Sequence, residues 1–337
     1  MAIIPPHQQQ CVKTRQMTTP RLDPVELSGS FWCIVPYFNP MGWQSRYDNF
    51  CVFYERLLQQ NVNVLIGEVA LHDRGFQLQH VINDDHLAFQ LCAPHIVWHK
   101  ESILSLLLSR LPTDCDKVCW IDADVLVQND DWVEQISNAL SMYRVVQGFS
   151  WCGMLPSGVE DVDNIGIHSF PTGFQDCHKA YSYVSGVLHS EPQYNGQPGM
   201  LWAARRSTLE QIDFYRHCVL GGADYLTARA MAYQHYDPKI CELFSRFHLS
   251  TYFPWAQLCA EAIDFSINYV SNIIYHLYHG KIQNRGHSQR LQLLRELEFD
   301  PRLDIYQLDN GLYNFTDVGG RFVDRTKQFF TQRAEER

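Results

Sequence analysis

The chain has 337 residues, of which 27 are Lys or Arg and 37 are Asp or Glu, so its net charge is −10 at pH 7. This balance argues against a dedicated binder of nucleic-acid phosphates, which would need a basic surface. With 46% hydrophobic residues the chain is not globally disordered, and it lacks the run of about 18 apolar residues that would span a bilayer.

The start of the chain, MAIIPPHQQQ, lacks the basic residues and the long apolar run of a secretory signal. The eleven cysteines include no Cys-x-x-Cys pair, and several lie inside apolar runs. That pattern is typical of buried thiols in a reducing compartment rather than of a disulfide framework or a zinc site. We therefore expect a cytoplasmic protein with no membrane span.

Predicted strands and helices alternate along the first half of the chain. Residues 1–28 are polar, contain prolines and are predicted to be a flexible arm. Apolar runs and helical spacing then predict strands at 31–35, 62–69, near 95–98, at 117–121 and at 144–149, and helices at 46–60, 100–111 and 132–143. This alternation predicts a mostly parallel sheet with helices on both faces, which binds ligands at the carboxyl ends of its strands.

The second half is less regular. Residues 150–198 are rich in Gly, Ser, Pro and His, and we expect long loops that cover a site. A strand at 200–204, helices near 209–215 and 225–233, and a last helix around 324–334 follow. The predicted organisation is an arm over 1–28, one α/β domain over 29–290, and a helical, polar extension over 291–337.

Asp122 and Asp124 directly follow a predicted buried strand. The Asp-x-Asp spacing occurs three times in the chain, so the spacing alone does not indicate a site. The position of this pair directly after a buried strand does. Two carboxylates at the carboxyl end of a strand favour a bound Mn²⁺ or Mg²⁺, which could also hold substrate phosphates. A calcium EF-hand loop is excluded because Val127 stands where glycine is needed. The alternative is a pair of solvated residues at a strand exit.

The segment Gly221-Gly222-Ala223-Asp224 combines a tight backbone turn with one carboxylate. Asp224 could be a structural helix N-cap. It could also be a general base that removes the proton of a hydroxyl nucleophile.

A third segment, residues 275–285, carries two histidines three positions apart and two cations. His276 and His279 can face one centre and donate nitrogen to a metal, and Lys281 and Arg285 can neutralise phosphate oxygens. The alternative is a solvated polar loop. The dinucleotide fingerprint, the phosphate-binding P-loop and the Gly-x-Ser-x-Gly motif of α/β-hydrolases are all absent from the sequence.

In this order the three segments resemble glycosyltransferases of the GT-A fold, over roughly residues 31–290. The resemblance is to the family 2-like enzymes and to the C-terminal module of the β-1,4-galactosyltransferases. It implies a single Rossmann-like α/β domain with a mostly parallel sheet and Mn²⁺ (or Mg²⁺) as cofactor. Asp124, His276 and His279 would bind the metal, with Asp122 in the metal shell or at the nucleotide.

The resemblance also implies roles for the other residues. Asp224 would be the catalytic base of an inverting reaction, although Ala223 replaces the family's first acid, which is often implicated in acceptor binding. Gly199, Trp202 and Gly222 would lie on the acceptor side. The donor, a nucleotide-diphosphate sugar and most simply a UDP-sugar, would be bound by Pro36, Tyr37, Asn39, Glu68, Trp98, Lys100, Glu101, Asp122, Lys281 and Arg285.

Three other functions stay open from the sequence. A related enzyme of viral type could glycosylate a modified DNA base, which would need a local basic surface. A haloacid-dehalogenase-like phosphatase could use Asp122 as nucleophile and Asp124 as acid, although here the pair follows a third strand and Leu126 replaces the usual Thr or Val. A binding module with a degenerate site is the non-enzymatic alternative. The acceptor hydroxyl could belong to a glycan, a small molecule or a modified nucleobase.

Overall fold

A computed structural model describes residues 23–158, 178–188 and 196–336. The predicted arm over residues 1–28 lies mostly outside these ranges. Within them, the strands are β1 (Ser30–Phe38), β2 (Val64–Leu71), β3 (Leu87–Ala93), β4 (Cys115–Ile121), β5 (Val125–Val127), β6 (Val145–Gln147), β7 (Trp151–Met154), β8 (His178–Tyr181), β9 (Leu201–Arg205), β10 (Ile267–Tyr269), β11 (Ile273–His276), β12 (Ile305–Gln307) and β13 (Tyr313–Phe315).

The α-helices of the described residues surround these strands. They are α1 (Gln44–Gln59), α2 (Lys100–Leu108), α3 (Trp132–Met142), α4 (Tyr183–Leu188), α5 (Arg206–Ile212), α6 (Ala223–Met231), α7 (Pro238–Leu243), α8 (Arg246–Ile263), α9 (His287–Glu296), α10 (Pro301–Asp304) and α11 (Val323–Gln332). None of them is both long enough and apolar enough to cross a membrane. The nine cysteines in the described ranges are free thiols.

The central sheet has seven strands in the order β10-β6-β9-β4-β1-β2-β3. All neighbours in it are parallel except β9, which runs antiparallel to β4 and β6. Helices cover both faces of this sheet, so alternate residues of one strand belong to different cores. Cys33 and Val35 of β1 lie in the core with α1 and α3, and Ile34 lies in the core with α2, α5, α6 and α8. The predicted α/β fold with a mostly parallel sheet is confirmed.

Two of the predictions need correction, and one helix was not predicted. The strand expected near 95–98 is wrong: β3 lies earlier, and Pro94 has no N–H with which to continue the ladder. Residues 150–198, expected to be loops, contain β7, β8 and α4, while 159–177 and 189–195 lie outside the described residues. The helix α8 was not predicted. Its sequence is apolar on most sides and contains Pro254, so the helical spacing of its apolar residues is not visible.

The order of the sheet decides where ligands can bind. β1 pairs with β2 on one side and with β4 on the other, so the chain leaves the carboxyl ends of β1 and β4 in opposite directions. Such a reversal opens a crevice at the edge of a parallel sheet. Pro36 and Tyr37 lie near the end of β1 at this edge, and Asp122 directly follows β4.

A second sheet, ordered β5-β11-β7-β8, brings the late histidines to the same edge. β5 follows the aspartates and pairs antiparallel with β11, so that Val125 lies opposite His276. The backbone N–H of Leu277 donates to the carbonyl of Asp124 at 2.9 Å. This register explains why residues about 150 positions apart in the chain meet.

The segment after residue 290 packs onto the α/β domain through its own apolar cluster. Phe299, Phe322, Phe329 and Phe330 are buried there, together with residues 96–97 and 219–220. Phe330 lies 5.9 Å from Trp98, measured between ring centroids. The extension predicted over 291–337 therefore covers one side of the crevice.

Candidate active site

A cavity of about 610 Å³ opens at the carboxyl ends of β1 and β4. It is lined by side chains from all three segments that the sequence analysis singled out. The predicted site residues in its wall are Pro36, Tyr37, Trp98, Lys100, Asp122, Asp124, Gly199, Gly222, Asp224, His276, His279 and Arg285. Its position is the one that the reversal in sheet order predicts.

Asp124, His276 and His279 form a compact buried cluster in this cavity, called the metal cluster below. The Nε2 atoms of His276 and His279 lie 3.6 and 3.2 Å from the two carboxylate oxygens of Asp124. They lie 3.3 Å from each other. One ligand atom from each residue falls within 4.8 Å of the other two.

The chemistry of these donors fits a divalent cation. Burial raises the pKa of Asp124, but the two imidazoles and Arg46 outweigh burial and hold this pKa well below its usual range. Burial lowers the pKa of His276 to about 3, so this imidazole is neutral at pH 7. Asp124 Oδ1 is buried with no hydrogen-bond partner in the described residues. A carboxylate and two imidazoles around one point are donors suited to a divalent transition-metal ion.

Lys100, Asp122 and Asp224 form a second group in the same cavity, the acid–lysine cluster. The Nζ of Lys100 lies 2.5 Å from Asp122 Oδ1 and 2.9 Å from Asp224 Oδ1. Burial lowers the pKa of Lys100, but the two carboxylates outweigh burial and raise this pKa, so Lys100 stays charged. The structure therefore places Asp122 against Lys100 and not in the metal cluster, with which the sequence analysis had grouped it.

The double glycine places Asp224 at the cavity. Gly221 and Gly222 have φ of +82° and +97°, and a Cβ on Gly221 would lie 3.2 Å from the Trp98 ring. Gly222 is the N-cap of α6, and Asp224 lies in the first turn. The alternative of Asp224 as a structural N-cap is therefore wrong. Gly199 lies next to this carboxylate: a Cβ on Gly199 would lie 3.0 Å from Asp224 Cγ.

A smaller cavity of about 270 Å³ adjoins the first at Tyr37. Asn39 and Glu68, both predicted at the nucleoside, lie in its wall together with Gln77. The Glu68 carboxylate is buried and accepts the Gln90 side-chain amide at 2.7 Å and the Gln77 backbone N–H at 2.6 Å. The Gln77 side chain accepts from Asn39 Nδ2 and from the Tyr37 hydroxyl, which leaves its own amide as a donor.

Three of the predicted site residues lie outside the walls of both cavities. Lys281 is exposed. Trp202 is a core residue that stacks on Trp120, and its indole N–H donates to the Pro198 carbonyl at 2.8 Å, so that it supports the loop before Gly199. Glu101 is buried below the acid–lysine cluster, where burial and the charge of Asp224 raise its pKa to about 8.

Four charged residues of the site were not predicted as site residues from the sequence. Arg46, Arg290 and Arg333 line the cavity beside Arg285, and the buried Glu335 lies behind His279. No local motif marks them, because they come from α1, α9 and the segment after α11. The Arg285 Nε is buried with no hydrogen-bond partner in the described residues, so this side of the cavity is suited to an anion.

No protein-family model matches the chain. No curated protein matches it either.

The fold is similar to solved structures at 11–12% identity. The catalytic domain of Drosophila β1,4-galactosyltransferase 7 with xylobiose has a TM-score of 0.35 and 11% identity, over 89% of this chain and 98% of that chain. Mycobacterium tuberculosis glucosyl-3-phosphoglycerate synthase with Mg²⁺ and UDP has 0.38 and 12%, over 86% and 88%. Anaerococcus prevotii 4-diphosphocytidyl-2C-methyl-D-erythritol synthase has 0.35 and 11%, over 72% and 87%.

Proposed function

We propose that the protein is a metal-dependent glycosyltransferase that moves a sugar from a nucleotide-diphosphate sugar to an acceptor hydroxyl. The observation that carries this proposal is the presence of two different clusters in one cavity. One cluster offers an ionised carboxylate and imidazoles to a cation, and the other holds a carboxylate that can accept a proton. Both lie at the carboxyl edge of a mostly parallel sheet.

The metal cluster and the arginines would hold the diphosphate of the donor. Asp124, His276 and His279 would hold a divalent cation, which would supply positive charge for the phosphates and for the leaving group. Arg285, which lines the cavity, adds a planar cation that can bind two phosphate oxygens. The nucleoside would then occupy the adjoining cavity, where Tyr37, Asn39 and Glu68 lie.

Asp224 would act on the acceptor. The acceptor oxygen bonds to the anomeric carbon while the bond from that carbon to the phosphate oxygen breaks. The acceptor proton passes to Asp224, and the nucleotide diphosphate leaves with the electron pair. Attack from the face opposite the leaving group inverts the anomeric centre. The Lys100 ammonium lies 2.9 Å from Asp224 Oδ1 and orients this carboxylate in the cavity wall.

The phosphatase alternative fits the geometry less well. It needs Asp122 as a free nucleophile and Asp124 as an acid. Lys100 lies 2.5 Å from Asp122, and the pKa of Asp124 is held well below its usual range, so that it cannot deliver a proton near neutral pH.

The first experiment is a thermal-shift screen of UDP and UDP-sugars, each with and without Mn²⁺. We expect stabilisation by the nucleotide that requires Mn²⁺, followed by release of UDP when a suitable acceptor is added. Glycans, small sugars and DNA with hydroxymethylated bases form the acceptor panel, and the last of these tests the DNA-modifying alternative. Release of free phosphate from phosphorylated small molecules, without turnover of any sugar nucleotide, would contradict the proposal. Nucleotide binding with no transfer to any acceptor would support a binding module.

A further inference from the structure

Arg290, from α9, lines the cavity on the side of the proposed base. A Cβ on Gly221 would lie 2.9 Å from its Nη1, and a Cβ on Gly222 would lie 3.7 Å from its Nη2. Gly222 is the N-cap of α6, the helix whose first turn carries Asp224. The guanidinium of Arg290 therefore lies against the backbone turn that presents Asp224 to the cavity.

Arg290 and Arg285 lie near different clusters of the cavity. Burial lowers the pKa of Arg290, and among the carboxylates Asp224 opposes this most strongly. Burial also lowers the pKa of Arg285, and there Asp124 opposes it most strongly. Arg285 is therefore on the side of the metal cluster, and Arg290 is on the side of the acid–lysine cluster.

Cations outnumber carboxylates around this cavity. Among the described residues of its wall, the cations are Arg46, Lys100, Arg285, Arg290 and Arg333, and the carboxylates are Asp122, Asp124 and Asp224. The buried Glu335 pairs with Arg46 and Arg333 and adds a fourth carboxylate. Burial and the charge of Asp224 raise the pKa of Glu101 to about 8, so this group is mostly neutral at pH 7. One positive charge is therefore in excess.

Binding of the donor would not remove this excess. A divalent cation and a nucleotide-diphosphate sugar carry equal and opposite charges, so the wall has the same net charge before and after both bind. A buried charge without a compensating charge is costly. The excess positive charge is therefore left for the other substrate, the acceptor, whose hydroxyl must lie beside Asp224.

We propose that the acceptor carries an anionic group, a carboxylate or a phosphate, which Arg290 binds while Asp224 takes the proton of a nearby hydroxyl. This inference rests on the proposed function and adds the chemical class of its acceptor. A guanidinium suits both anions, because its N–H groups can donate two parallel hydrogen bonds to them. Tyr225 and Leu291 line the wall beside Asp224 and Gly222, so this side of the cavity also offers apolar surface to the rest of the acceptor.

The first test uses sulfate as the anionic probe. Titration calorimetry measures its binding to the full chain saturated with Mn²⁺ and UDP, which occupy the donor site. We expect Arg290→Gln to weaken sulfate binding by about 10-fold or more, because it removes a charged hydrogen-bond donor. Arg290→Lys keeps the charge without the fork and should retain part of the affinity. Arg295→Gln makes the same change at an exposed arginine of α9 and should leave sulfate binding unchanged.

The second test compares acceptors that differ only in charge. D-glucose, D-glucuronate and D-glucose 6-phosphate form one series, and glycerol, glycerate and glycerol 3-phosphate form another. We expect KM for an anionic member to be about 10-fold or more below that of its neutral counterpart, and Arg290→Gln to remove this preference. The preferred member distinguishes a carboxylate from a phosphate. Arg290 Nη1 also donates to the Leu220 carbonyl at 3.3 Å, so circular dichroism and urea unfolding check that the variant is folded.

The outcomes are distinct. Equal sulfate binding by the wild type and a folded Arg290→Gln variant would overturn the role of Arg290. A neutral acceptor that the wild type prefers over its anionic counterparts would overturn the acceptor class. A loss of UDP affinity in Arg290→Gln as large as in Arg285→Gln would assign Arg290 to the donor and overturn the inference. Wild-type protein that binds no UDP with Mn²⁺ would contradict the proposed function instead, and the sulfate titration would still test Arg290.

Discussion

The metal cluster and the acid–lysine cluster lie in one cavity and both contain aspartate, yet they balance its charge differently. In the acid–lysine cluster, the chain supplies its own cation, since Lys100 contacts both Asp122 and Asp224. In the metal cluster, Asp124 faces two imidazole nitrogens, and His276 is neutral because burial lowers its pKa to about 3. A buried carboxylate needs a compensating charge.

This difference separates the proposed roles of two aspartates that lie two positions apart, on either side of Ala123. Asp124 faces the imidazole nitrogens of His276 and His279, an arrangement that suits an external cation. Asp122 instead faces the ammonium of Lys100. We therefore propose a metal-ligand role for Asp124 and not for its sequence neighbour Asp122. The predictions that follow test this division of roles.

The largest effect is expected at Asp224. Asp224→Asn keeps the shape of the side chain and removes its capacity to accept a proton, so the transfer rate should fall by about 10²–10⁴-fold. Mn²⁺ and nucleotide affinities should stay within about threefold of the wild type, because Asp224 belongs to the other cluster. Kinetics of UDP release, together with calorimetry, check both parts. Unchanged turnover would contradict the assignment of Asp224 as the base.

The two neighbouring aspartates provide a matched pair. Asp124→Asn removes a direct ligand, and we expect Mn²⁺ affinity to fall by more than about 100-fold, beyond the range typical of outer residues. Asp122→Asn makes the same chemical change two residues earlier and should weaken Mn²⁺ binding much less. Calorimetric titration of both variants measures the ratio. Equal losses would show that the aspartates share the metal and would remove the distinction between the clusters.

Lys100→Met tests the internal cation. Without the ammonium, Asp122 and Asp224 lose the one cation that contacts both of them. The free energy of unfolding should therefore fall by roughly 1–3 kcal/mol, less than for a fully buried pair because both carboxylates are partly exposed. Added Mg²⁺ should restore part of this loss, since the acid pair then binds an external cation. Urea unfolding measures the change, and Lys239→Met, at an exposed lysine, is the control. A variant as stable as the wild type would contradict the role of Lys100.

The smallest effect concerns a buried imidazole outside both clusters. His248 packs among the rings of Tyr215, Phe244 and Phe299, and burial lowers its pKa to about 3. In the unfolded chain the imidazole binds a proton below about pH 6.5. Stability should therefore fall as the pH decreases from about 6.5 towards 3, by up to about 1.4 kcal/mol per pH unit from this residue. His248→Leu should reduce that slope. Denaturant unfolding at pH 7 and pH 5.5 checks the difference between wild type and variant, and identical slopes would contradict it.

Local pattern was enough to predict most elements of the sheet. The apolar runs that became β1, β2 and β4 stand out because strands buried on both faces are almost continuously apolar. The helices α1, α2 and α3 each bury one side and show helical spacing. The long helix α8 also buries one side, but Pro254 and Leu258 lie on its exposed side, so the helical spacing is not visible in the sequence.

The sequence alone predicted the α/β class, the sheet edge at which the cavity opens and three segments whose residues line it, because each depends on short-range pattern. Only the tertiary structure separated Asp122 from Asp124, placed Lys100 between two carboxylates and brought Glu335 behind His279. The physical reason is that these pairs form between residues far apart in the chain. The register of β5 with β11 and the packing of the segment after α11 determine which residues meet, and neither produces a periodic pattern in the sequence.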